Sequence, residues 1–232
     1  AHDSRGVYEL LTPPHCLIFY NTENRPGAEN EAETIEGAMN HLKYSTEVIK
    51  NPTKKALIQT IDNSAVPKTS ALFCIFMSHG GDNTLFIDGE SISVQDIITA
   101  MDTPSLYGKP KVLILQACRG SGENRLDYHR CLTNGSFELS SPDMLVVYSS
   151  LKGTRAARNG MIPLLAKSLR NAEDYEDLCE IVRKTVTVMT ITHPQQVPEM
   201  RSSLRYKLLP KMVGLVSWHS SLQQPFCSFK DM

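Results

Sequence analysis

Short apolar runs that alternate with helix-patterned stretches constrain this chain more than any other feature of its sequence. His15–Tyr20 (HCLIFY), Ala71–Ser78 (ALFCIFMS), Lys111–Ala117 (KVLILQA) and Met144–Ser149 (MLVVYS) are dominated by apolar residues. A strand wetted on one face alternates apolar with polar side chains, so these runs read as strands covered on both sides. Between them lie amphipathic patterns. Ile35, Met39 and Leu42 share one face of a helix over Glu31–Leu42, and Ala56, Leu57 and Ile61 do so over Thr53–Ile61. Val94–Met101 reads as a further helix, and Thr46–Ile49 as a short strand. Thr84–Ser93 reads as a hairpin turning at Asp88-Gly89, a pair suited to tight turns. Helices near Leu164–Arg170 and Tyr175–Val186 precede an extended segment from Gln196 to Leu209. Strands separated by helices imply an α/β fold with a largely parallel sheet between helical layers.

In such a sheet the reactive groups collect at the carboxyl ends of the strands. Ala71–Ser78 runs into His79-Gly80-Gly81, and Lys111–Ala117 runs into Cys118-Arg119-Gly120. A thiol becomes a strong nucleophile once it loses its proton, and a nearby imidazole can take that proton and later give it to a leaving amine. The pairing requires neither metal nor cofactor. Gly80 leaves its backbone N–H unobstructed and Cys118 offers a second, a pair able to hold the oxyanion of a tetrahedral intermediate. Alone, a strand-end cysteine is usually a core residue and a strand-end histidine a surface one. Together, with their flanking glycines, they point to a catalytic dyad.

Composition narrows the classes further. At 232 residues with 41% apolar and 21% charged content, the chain can build a sizeable core and is not globally disordered. A net charge of −1 and the lack of a Lys/Arg run exclude nucleic acid as an expected partner. No apolar stretch is long enough to cross a bilayer, and the start lacks a signal-peptide core, so no membrane is expected. Cys16 and Cys74 lie inside apolar runs and Cys179 on a helical pattern, which reads as buried hydrophobes rather than disulfides. A reducing, cytoplasmic setting follows from that reading.

Gln116-Ala117-Cys118-Arg119-Gly120 resembles the active-site pentapeptide of the caspases, and Ser78-His79-Gly80 resembles their histidine motif. The two residues are 39 apart, against about 50 in the family, a difference the compact hairpin between them accommodates. The resemblance runs from about Tyr8 to Leu209. It implies a caspase-like three-layer sandwich, a six-stranded mostly parallel sheet with helices on both faces. It also implies a catalytic domain over 1–209, with a large-subunit region about 8–127, an intersubunit linker about 119–142 and a small-subunit region about 143–209. Residues 210–232 would be a C-terminal extension without an assigned role.

The activity so implied is a zymogen-type cysteine endopeptidase, cutting after aspartate in apoptosis or related proteolytic signalling. Caspases hold the substrate aspartate with two arginines and a glutamine, a task suited to guanidinium forks that keep their charge. Arg25 sits where the family carries the first arginine, and Gln116 supplies the amide. Counting without gaps from Tyr148-Ser149 assigns the second to Arg158, with Arg155 as rival. Residues 154–165 lack the aromatics that usually surround this arginine, so selection beyond the aspartate is expected to be looser.

The long polar segment from Arg119 to Pro142 is the expected processing region, with Asp127 the candidate cleavage site and Asp143 the less accessible one. Val197–Arg205 resembles the last caspase strand, which pairs with its twin. The 197–206 strand is therefore the expected surface for a homodimer or a heterodimer with another caspase, conditional because Glu199, Arg201 and Arg205 make it polar. Protein substrates with an accessible aspartate are the other expected partners. A second reading is a weakly active or inactive caspase-like regulator that pairs with an active caspase; the intact His79 and Cys118 favour the enzyme.

Overall fold

The computed structural model describes residues 2–64, 69–81, 83–118, 139, 141–150, 160–194 and 196–211. The chain runs from β1 (His15–Tyr20) through α1 (Ala28–His41) to β2 (Ser45–Lys50), then through α2 (Lys54–Ser64) to β3 (Leu72–Met77). Three short strands follow, β4 (His79–Gly81), β5 (Thr84–Ile87) and β6 (Glu90–Ser93), and then α3 (Val94–Met101) and β7 (Lys111–Gln116). The remaining elements are β8 (Met144–Tyr148), α4 (Met161–Arg170), α5 (Leu178–Thr192) and β9 (Glu199–Ser202). Six strands form the main sheet in the order β2-β1-β3-β7-β8-β9. All neighbours are parallel except β8 and β9. The expected α/β architecture, six strands mostly parallel with helices on both faces, is the observed one.

Register explains why the apolar runs are unbroken. Ile18, Ile75, Ile114 and Val147 pair in one row across β1, β3, β7 and β8. They bury against Ile35 and Met39 of α1, Leu165 of α4 and Val182 of α5. The next row, Phe19, Phe76 and Leu115, faces the opposite layer with Leu57 and Ile61 of α2 and Ile97 of α3. Phe19 and Phe76 stack with ring centres 4.8 Å apart. Each such side chain contributes roughly 1.5–3 kcal/mol by leaving water. Both faces of the central strands are therefore apolar, and their ends are left to carry polar chemistry.

Several boundaries differ from the expectation, for local reasons. Helix α1 begins at Ala28, before Glu31, because Gly27 takes a left-handed φ of 89° that turns the chain into the helix. Helix α4 begins at Met161; Pro163 falls in its first turn, where a missing N–H costs nothing. Helix α5 starts at Leu178 and continues to Thr192, past Val186, through a run of β-branched residues. There Thr185, Thr187, Thr190 and Thr192 each donate a hydroxyl to the carbonyl four residues back. The extended segment over 196–209 contains only four residues of strand, β9, at the sheet edge. The hairpin turn at Asp88-Gly89 is as expected, with both residues at positive φ (50° and 74°).

A buried polar cluster closes the amino-terminal edge of the sheet. Asp143 is fully buried and accepts from Tyr8 Oη at 2.6 Å and from Arg205 Nε and Nη2 at 2.8 and 2.6 Å. Its carbonyl accepts from the Lys111 N–H at 2.8 Å. Asp143 thus ties the N-terminal segment to the residue stretch after β9, and it is inaccessible as a cleavage site.

Candidate active site

The opposite, carboxyl edge is where β3 and β7 end side by side. Met77 pairs with Gln116, and the Ser78 N–H continues the ladder to the Gln116 carbonyl at 3.3 Å. Beyond that point the first chain turns into β4, whose His79 pairs with Phe86 of β5, while the second reaches Cys118. The turn is held from three sides. Ser78 Oγ donates to the Phe86 carbonyl at 2.7 Å, and Asn21 Nδ2 donates to both Ser78 Oγ and that carbonyl at 2.9 Å. The Asn21 N–H in turn donates to Met77 O at 3.0 Å, so the end of β1 is laced into the same corner.

Gly80 brings the two chain ends into contact. A β-carbon on this residue would lie 2.7 Å from the Cys118 carbonyl oxygen, 2.8 Å from that of Thr84 and 3.0 Å from Ala117 Cβ. Only glycine allows this approach, which sets the backbone next to His79 against that of Cys118. On the other side, Ser149 and Ser150 hydroxyls donate to the Ala117 carbonyl at 3.5 and 3.3 Å and fix the end of β7.

His79 is exposed, and its Nε2 lies 3.1 Å from the Glu23 carbonyl oxygen. A carbonyl can only accept, so Nε2 carries the proton and Nδ1 is left as the basic nitrogen. Sequence reasoning missed this partner, since a backbone carbonyl has no side-chain signature. A cavity of about 300 Å³ opens beside the histidine, lined also by Asn21, Glu23, Phe86 and Asp88.

Cys118 is partly exposed, whereas the other described cysteines, Cys16, Cys74 and Cys179, are buried. Burial pushes the thiols of these three up, away from the reactive thiolate. Among the described residues no group of His, Cys, Asp and Glu could hold a metal ion, and no helix is long and apolar enough to cross a membrane.

The two described residues expected to hold the substrate aspartate are both buried. Gln116 is the last residue of β7, immediately before Ala117 and Cys118. Arg25 lies on the segment between β1 and α1, with Nη2 2.8 Å from Glu31 Oε2. Its Nη1 is buried and has no hydrogen-bond partner among the described residues. Glu31 is a second residue that sequence reasoning did not single out. Arg158, its rival Arg155, Asp127 and the 210–232 extension beyond Lys211 lie outside the described residues.

Comparison with known proteins places the chain in a family. The chain is 29% identical to caspase-14 of Mus musculus, covering 87% of this chain and 93% of that one. It is 26% identical to caspase drICE of Drosophila melanogaster, covering 96% of this chain and 72% of the relative. The crystal structure of caspase-1 from Spodoptera frugiperda shares the fold, with a TM-score of 0.76 at 17% identity over 91% of this chain and 97% of that one. The caspase domain model matches residues 14–209, spanning both chain ends that bear the sulfur and the imidazole, and the chain belongs to the caspase family of cysteine peptidases.

Proposed function

We propose that this chain is a cysteine endopeptidase that hydrolyses peptide bonds after aspartate, in apoptosis or related proteolytic signalling. The observation that carries the reading is the Gly80 contact, which packs the histidine-bearing chain end against the cysteine-bearing one. His79 Nδ1 takes the thiol proton, and Cys118 Sγ attacks the scissile carbonyl. Backbone N–H groups of Gly80 and Cys118 receive the negative charge on the former carbonyl oxygen. The tetrahedral species collapses as His79 returns its proton to the leaving amine. Water, deprotonated by the same nitrogen, then hydrolyses the thioester and regenerates the thiol.

Arg25, Gln116 and Arg158 seat the substrate aspartate. The sequence over 154–165 carries no aromatics, so fewer demands fall on substrate residues further upstream. Cleavage at Asp127 would release a zymogen restraint, and the polar β9 edge would support pairing with a second copy or with another caspase. A cytoplasmic location and protein substrates with an accessible aspartate complete the reading.

The test is labelling by an aspartyl peptide that carries a thiol-reactive warhead, in the parent chain and in Cys118→Ala. Labelling of the parent alone is expected. Labelling of both, or of neither, overturns the protease reading, and silence together with tight binding to an active caspase supports the regulator.

A further inference from the structure

Arg25 and Glu31 form a pair that is more deeply buried than recognition of an external ligand requires. Their side chains are 8% and 3% exposed, and one guanidinium nitrogen meets one carboxylate oxygen at 2.8 Å. The local sequence builds this contact. Gly27, at φ 89°, turns the chain between the two residues, and the Glu31 N–H donates to the Gly27 carbonyl at 3.1 Å as the helix begins. Glu31 falls in the first turn of α1, where the helix dipole favours a carboxylate.

A buried guanidinium left without a partner would be costly, and it would swing to solvent on a side chain with much rotamer freedom to recover. Glu31 removes that option by holding Nη2. The other terminal nitrogen, Nη1, is equally buried and has no hydrogen-bond partner among the described residues. An orphaned buried donor of this kind is a prepared place for an acceptor. One nitrogen is committed to the protein and one is kept for a ligand.

We infer that Glu31 is the positioning residue for Arg25, fixing the plane of the guanidinium so that Nη1 meets the carboxylate of the substrate aspartate. The inference rests on the reading of Arg25 as an aspartate-binding residue. Glu31 does not touch the substrate; it acts by denying Arg25 its other orientations. Because it also neutralises Arg25, the pair carries no net charge. The positive charge that attracts the substrate acid must then come from elsewhere in the pocket.

The experiment measures KM and kcat for an aspartyl peptide in Glu31→Gln, Glu31→Asp, Arg25→Ala and the Arg25→Ala/Glu31→Gln double variant. The rate of Cys118 alkylation by iodoacetamide, which ignores the aspartate pocket, serves as control. Glu31→Gln is expected to raise KM about tenfold with kcat and alkylation little changed. Glu31→Asp should recover part of the loss, and Glu31→Gln should add nothing once Arg25 is gone. An additive effect in the double variant, or a fall in KM on Glu31→Gln, overturns the inference; the second result would make Glu31 an internal competitor. If Arg25→Ala itself leaves aspartyl turnover intact, the reading of Arg25 fails instead. A slowed alkylation in Glu31→Gln would show a general structural defect, and that too counts against positioning.

Discussion

Gly80 approaches Cys118 so closely that a β-carbon on residue 80 would sit 2.7 Å from the Cys118 carbonyl oxygen. The Thr84 carbonyl, at 2.8 Å, blocks the other direction. Both obstacles are backbone, so neither can rotate away as the end of a flexible side chain would.

Gly80→Ala must therefore push the histidine strand off the cysteine strand. A displacement of even a fraction of an ångström at a nucleophile–base pair is costly, and kcat/KM on an aspartyl peptide is expected to fall about 100-fold. The hydrophobic core does not include this residue, so the thermal midpoint should drop by only a few degrees. Steady-state kinetics and a melting curve on the same preparation check the split. Turnover within threefold of the parent would mean that the contact does not matter to the chemistry.

Thiol chemistry offers an independent check. Cys118 is partly exposed, while Cys16 and Cys74 are wholly buried on β1 and β3 with their thiols pushed up by desolvation. Iodoacetamide added to the native protein should modify Cys118 well before Cys16 or Cys74 react, with their labelling appearing only after denaturant is added. Peptide mass spectrometry across a time course reads the order directly. Early modification of Cys74 would show that β3 opens far more easily than its burial implies.

The parts of this fold that were legible in the sequence are those where burial on both faces leaves a continuous apolar run. β3 and β7 announce themselves for that reason, and so do the residues that follow them, His79 and Cys118. β4 does not, because its three residues, His79-Gly80-Gly81, have no apolar member and pair only through backbone. The far end of α5 was hidden by threonines, whose helix stability there depends on hydroxyls bonding back to carbonyls. The orienting partner of His79 is the carbonyl of Glu23, invisible to any reading of side chains. Glu31 looks like an ordinary first-turn acid until the structure sets it against Arg25.

Asp143 makes a prediction about acid stability. Burial pushes its carboxyl up, but hydrogen bonds from Arg205 and Tyr8 and the charges of Arg205 and Lys111 outweigh that and hold it below the usual range. A carboxyl depressed in the folded state contributes stability that is complete above the unfolded value of about 3.9. That contribution is lost as pH falls through the lower, folded value. Asp143→Asn should cost about 2–3 kcal/mol near pH 7, with Arg205 half-exposed and so only partly stranded. Urea midpoints taken from pH 7 down to pH 3 should show the two proteins converging as the acid limit is reached. A constant gap across that range would mean that the contribution is packing, not charge. The same burial makes Asp143→Ala irrelevant to processing, whereas Asp127→Ala is expected to stop it.

The Arg25–Glu31 pair also bears on the choice between the two candidate second arginines. With Arg25 neutralised by an internal carboxylate at 2.8 Å, the substrate aspartate needs another cation to offset its own charge. Counting from Tyr148-Ser149 through Gly153 assigns that task to Arg158. Arg158→Ala is then expected to lower kcat/KM for an aspartyl peptide by about 100-fold or more, the scale of removing one partner of a hydrogen-bonded charge pair with the substrate. Arg155→Ala should stay within about threefold, as expected of an arginine that does not meet the substrate carboxylate. Raising the salt from 50 to 500 mM should weaken the parent's aspartyl turnover, and should do so less in Arg158→Ala, because the charge that is screened is already missing. If Arg155→Ala proves the more damaging, the chain carries a length change between 149 and 158, and the second cation is Arg155.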